Sequence, residues 1–131
     1  MKSQAESWVK SLVPDFEMKT PSNIPVYVVA NFEIEDAETY RSYEKGFFRI
    51  LRKHGGLFIT YDDETVNFEG HDPLKGRVVI FSFPSEEAAR NWYNDPRYQA
   101  LSEYRRVGTK LKFLTMVHGL PARKWPDYSS A

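Results

Sequence analysis

The sequence predicts an α+β fold, a four-stranded antiparallel sheet with both helices on one face. Three observations lead there. Strand-length apolar runs and amphipathic helical runs follow one another as strand, helix, strand, strand, helix, strand. Capping residues, glycines and prolines punctuate that order at nearly every boundary. With right-handed crossovers, the order is met most simply by two strand–helix–strand units sharing one sheet.

The elements are justified in chain order. Ser3-Gln4-Ala5-Glu6 matches a capping box, and Ala5, Trp8, Val9 and Leu12 follow at helical spacing up to Pro14. This predicts a short amphipathic N-terminal helix, then a connector marked by Pro14, Pro21 and Pro25. Residues 26–32 are β-branched, aromatic or otherwise apolar at nearly every position, as in a strand buried on both faces. Asp36 is placed to cap a helix whose face carries Tyr40, Tyr43, Phe47, Ile50, Leu51 and His54, and Gly55-Gly56 ends it. Residues 57–61 and 66–70 read as two parts of a second strand, with a bulge or small hairpin at Asp62-Asp63-Glu64. After the turn at residues 71–76, residues 77–83 form a third strand, apolar on both sides except at Ser82. Ser85 caps the next helix, whose buried stripe is Ala88, Ala89, Trp92 and Tyr93. Asp95-Pro96 restarts a helix in cap-then-proline order, with Tyr98, Leu101, Tyr104 and Arg105 facing one way and Gly108 at its end. Residues 111–117 form the last strand, broken by Gly119-Leu120-Pro121. The domain plan is therefore a helix and connector over residues 1–24, one domain over 25–120, and a tail over 121–131.

This is the ferredoxin-like βαββαβ arrangement. The first and third strands point apolar residues both ways, yet two helices cover only one sheet face. The other face would expose an apolar patch larger than monomers usually carry. A second copy packing sheet against sheet about a two-fold axis removes it, so a homodimer forming a shared barrel is expected. The N-terminal helix or the tail would be the other way to cover that face.

Composition narrows the function classes. Lys+Arg and Asp+Glu both total 18 in 131 residues, leaving no basic field for nucleic acid or an anionic membrane. There is no cysteine, hence no disulfide, thiolate metal site or cysteine nucleophile. Apolar runs fall short of the ~20 residues a membrane helix needs, and the N-terminus has no continuous signal-peptide core. A cytoplasmic protein is expected. Aromatic residues make up 15% of the chain, so their rings must fill a core, an interface or a ligand cavity.

Several segments carry a family resemblance: Tyr27-Val28-Val29-Ala30, Tyr40 with Tyr43, His54-Gly55-Gly56, Glu69-Gly70, Phe83-Pro84-Ser85, Ala88-Ala89, Trp92-Tyr93 and Tyr98-Gln99-Ala100-Leu101. Together, between roughly Pro25 and Leu120, they resemble the DUF1330 family of the dimeric α/β-barrel superfamily. The resemblance implies a ferredoxin-like protomer, a homodimer and a small-molecule pocket in each subunit, with no defined reaction. Relatives in that superfamily include cofactor-free monooxygenases, haem-degrading enzymes and isomerases. Where the family commonly has an acidic residue before the last strand's glycine, this chain has His118 before Gly119.

Candidate site residues come from the residues themselves. His54, at a helix C-terminus, would serve as a general acid or base, or simply as a cap for the helix end. Arg105 shares a helical face with Tyr98 and would clamp a substrate carboxylate, or else pair with Glu69 in a structural salt bridge. Tyr43, Trp92 and Tyr98 would wall a pocket, or pack as core. Asn31 and Ser82 are polar residues in apolar strands and need partners, a ligand or a local bond; Thr115 is a third such residue. Glu69, His71 and Asp72 make a poor metal set, there is no GxSxG elbow or phosphate loop, and no metal or cofactor is expected. Two functional readings stay open. One is a homodimer with a small-molecule pocket between helices and sheet, performing acid/base or cofactor-free oxidative chemistry on a hydrophobic or acidic compound. The other is a non-catalytic structural or regulatory dimer whose aromatics are only core.

Overall fold

The computed structural model describes residues 24–120. The expected N-terminal helix and the C-terminal tail lie outside the described residues. Strand β1 (Val26–Ile34) leads into helix α1 (Ala37–Lys53). Asp36 caps α1 by accepting the Thr39 amide hydrogen (3.1 Å). Gly55, at φ +76°, carries the chain out of the helix in the left-handed conformation that favours glycine. Strand β2 (Leu57–Asp62) and strand β3 (Arg77–Phe83) follow. Helix α2 (Glu86–Asn94) starts at the Ser85 cap, and helix α3 (Pro96–Gly108) at the Asp95 cap with proline in its first turn. Strand β4 (Thr109–His118) completes the domain.

The four strands form one sheet in the order β2-β3-β1-β4, every pair antiparallel. That is the predicted βαββαβ fold, with the helices packed on one face. Their side of the sheet presents Val26, Val28, Ala30 and Phe32 from β1 and Val79, Phe81 and Phe83 from β3. Tyr40, Tyr43, Phe47 and Leu51 of α1 close on them, with Ala89, Trp92 and Tyr98 from α2 and α3. On the opposite face, register brings Leu57, Ser82, Tyr27 and Val117 into one row across the strands. Ile80, Val29 and Thr115 share the next. One residue of β4, Lys112, has no partner in β1, because Asn31 lies opposite Phe113 and Phe32 opposite Leu111.

Two expectations are corrected here. The second strand ends at Asp62, and residues 66–70 are not part of it. The five partner positions from Val78 to Ser82 are taken by Leu57 to Asp62, and residues 66–70 pair with no strand among the described residues. The irregularity lies between Phe58 and Thr60, not at Asp62-Asp63-Glu64. Secondly, Tyr93 and Tyr104 do not face the sheet; each is more than 40% exposed. Each lies one residue, about 100° of helix, from a buried neighbour, Trp92 and Arg105.

Candidate functional site

Two cavities separate the helices from the sheet, and Arg105 and Leu114 line both. The first, about 180 Å³, is walled by Phe47, Phe48, Phe58, Phe81, Tyr40 and Tyr43. The second, about 720 Å³, is a more open groove along β4, lined by Trp92, Tyr93, Leu111 and Met116. Arg105 reaches this junction because α3 buries Tyr98, Ser102, Arg105 and Gly108, spaced three or four residues apart on one face.

Arg105 is 3% exposed, and its Nε and Nη1 have no hydrogen-bond partner among the described residues. Its carbon Cζ lies 5.8 Å from the centre of the Tyr43 ring, a cation–π contact that compensates the charge in part. The helix C-terminus adds a favourable dipole. Beside it, the Tyr43 and Tyr98 hydroxyls share a hydrogen bond of 2.8 Å. Burial, reinforced by Tyr98, holds the Tyr43 hydroxyl protonated well above its usual range. Burial also raises Tyr98, and the Arg105 charge opposes that rise. Trp92 stacks on Tyr98 with ring centres 4.1 Å apart, its Nε1 likewise unpartnered among the described residues.

The far end of the smaller cavity is closed by Arg77, whose role the sequence did not signal. Its guanidinium donates to Asp63 through Nε (2.8 Å) and Nη2 (3.0 Å) and to Glu44 through Nη1 (3.3 Å). It also lies 4.4 Å from the centre of the Tyr61 ring and 5.7 Å from that of Tyr40. Asp63 holds the Arg77 pKa above its ordinary value, and burial pushes the Tyr40 hydroxyl up to about 12.

The other sequence-predicted residues are placed elsewhere. His54 lines a separate surface depression and donates from Nε2 to Asp95 Oδ2 (2.8 Å). Glu69 is exposed on the loop after β2 and forms no ion pair among the described residues, so the alternative Glu69–Arg105 salt bridge is absent. Asn31 is buried on the sheet face away from the helices. Its Nδ2 donates to the carbonyls of Lys75 (2.8 Å) and Arg77 (3.0 Å), fixing the end of the loop, while Oδ1 has no partner among the described residues. Ser82 and Thr115 are on that same face. The structure thus brings Tyr43, Trp92, Tyr98 and Arg105 together and leaves His54, Glu69, Asn31 and Ser82 apart from them. No group of three or more potential metal ligands gathers among the described residues. No helix there is long and apolar enough to cross a membrane. His118, in the position noted above, donates to Glu86 Oε1 (2.6 Å) and, with Arg90, lowers the Glu86 pKa.

The model of a domain of unknown function, DUF1330, matches residues 25–120. The chain belongs to the DUF1330 family. Its ferredoxin-like fold is shared with solved structures. The RPA0582 protein of unknown function from Rhodopseudomonas palustris is similar with a TM-score of 0.61 at 15% identity, covering 91% of this chain and 95% of that one. SnoaB of Streptomyces nogalater, a cofactor-independent oxygenase, is similar with a TM-score of 0.50 at 14% identity, over 79% and 99%. The Atu4242 protein of Agrobacterium tumefaciens has a TM-score of 0.50 at 18% identity, over 77% and 97%. No curated protein matches the chain. At these identities the DUF1330 chain shares a fold with each structure, and the likeness assigns no reaction.

Proposed function

We propose that this DUF1330 protein is a homodimer that binds a small hydrophobic acid between sheet and helices, with Arg105 as the anion anchor. The observation that carries this reading is that Arg105, which lines two cavities, is buried with two guanidinium nitrogens unpartnered among the described residues. Burying a charge without a counter-charge costs several kcal/mol. A ligand carboxylate would remove that cost through paired, charge-assisted hydrogen bonds. The Tyr43–Tyr98 hydroxyl pair adjoins this position and supplies polar contacts. His54 lines neither cavity, so its support is for tying α1 to α3, and any proton transfer on the ligand would fall to the two tyrosines. A purely structural dimer gives no reason for an arginine so buried to stand without a carboxylate among the described residues.

The test is a thermal-shift screen of small organic acids. A ligand at a hundred times its Kd should stabilise the protein by about 2.7 kcal/mol. Arg105→Met should abolish that stabilisation while leaving the unliganded protein at least as stable, because a buried unpaired charge is removed. If no acid stabilises the protein and Arg105→Met unfolds it, Arg105 is structural and the binding reading fails.

A further inference from the structure

We propose that the ligand is a single-ring aromatic carboxylate, its ring in the smaller cavity and its carboxylate on Arg105. This rests on Arg105 as the anion anchor and names the class of acid. Size is the first argument. The cavity holds about 180 Å³, and a hydrocarbon-lined cavity of roughly 150 Å³ accepts one benzene. A single ring with a short substituent therefore fits, and a fused three-ring system does not.

The walls are the second argument. Phe47 meets Phe48, Phe58 and Phe81 with interplanar angles of 79° to 87°, so the chamber presents both ring edges and ring faces. Aromatic pairs favour edge-to-face contacts, which a flat guest ring can make and an alkyl chain cannot.

Charge is the third. Arg77, Tyr40, Tyr43 and Arg105 follow one another along the cavity, each in contact with the next. Arg77 is already matched by Asp63 and Glu44, whereas Arg105 has no carboxylate partner among the described residues. An unmatched positive charge thus stands at one end only. A monoacid suits it, and a second carboxylate reaching the Arg77 end would meet Glu44 and Asp63.

Calorimetry on the full chain would compare 3-phenylpropionate, its primary amide, octanoate and 9-anthracenecarboxylate. The phenyl acid should bind tightest, with the amide and octanoate each weaker by about tenfold or more, and the anthracene acid silent. Ala30→Leu, which adds bulk to the chamber wall, should weaken the phenyl acid by a similar factor. Octanoate or the anthracene acid binding as tightly as the phenyl acid would overturn the single-ring claim and leave the Arg105 anchor standing. Equal binding by the amide, or no binding by any acid, would remove the anchor and the single-ring claim with it.

Discussion

Asp95 caps α3, clamps Arg97 and accepts from His54 through one carboxylate. Arg97 first, then His54, hold its pKa well below the ordinary 3.8. A carboxyl depressed on folding stabilises the native state above its unfolded pKa and loses that contribution as pH falls toward the folded value. Asn caps helices almost as well as Asp, so Asp95→Asn removes mainly the charge. Its thermal midpoint should lie below that of wild type at about pH 5, and the gap should close as pH falls from about 4 toward 2. A gap that stays constant over that range would mean the charge contributes nothing. Arg105 shows how far sequence reaches at this scale. Its spacing from Tyr98 announced a buried guanidinium, since both lie on one helical face. The missing counter-charge was not legible, because it depends on where the loop carrying Glu69 runs. Arg77 was missed altogether, for its partners Asp63 and Glu44 come from a loop and a helix far away in the chain.

Elements were legible wherever local chemistry fixes their ends. Asp36, Ser85 and Asp95 each accept an amide hydrogen from the first turn of the helix they precede. Residues 66–70 misled because Val66 and Phe68 alternate with polar neighbours as a half-buried strand would. Alternation says what a segment would suit, but not whether it pairs with another strand. Phe68 is accordingly 92% exposed. The loop instead closes through Gly76 at φ +78°, where an added Cβ would meet the Phe32 carbonyl oxygen and lie 2.9 Å from Glu33 Cα. Gly76→Ala should cost about 2 kcal/mol or more, read from urea unfolding, since both the conformation and the contact oppose it. Stability within about 0.5 kcal/mol of wild type would show that the loop shifts freely.

Across the whole molecule, the sheet face away from the helices carries Leu57, Tyr27, Val117, Val29 and Ile80 in register. Leu57 is 69% exposed and Val117 46%. A face of this kind suits a self-complementary two-fold contact. Ile80→Lys should leave the protomer folded, because its other face holds the core, and should yield a monomer by size-exclusion chromatography with light scattering. An unsubstituted protein that is already monomeric at micromolar concentration would overturn the homodimer. The two-sided apolar strands made this surface legible in the sequence.

The unpaired Lys112 bears on how this chain can change its length. Strand side chains alternate, so removing one residue from a paired stretch turns everything on one side of the cut to the wrong face. At residue 112 the reverse holds. Deleting it would bring Leu111 and Phe113 into plain alternation, with Leu111 still opposite Phe32 and Phe113 opposite Asn31. A protein lacking Lys112 should keep a cooperative thermal transition, whereas one lacking Thr115 should lose it. At this point in β4 a residue can come or go without disturbing the cavity wall.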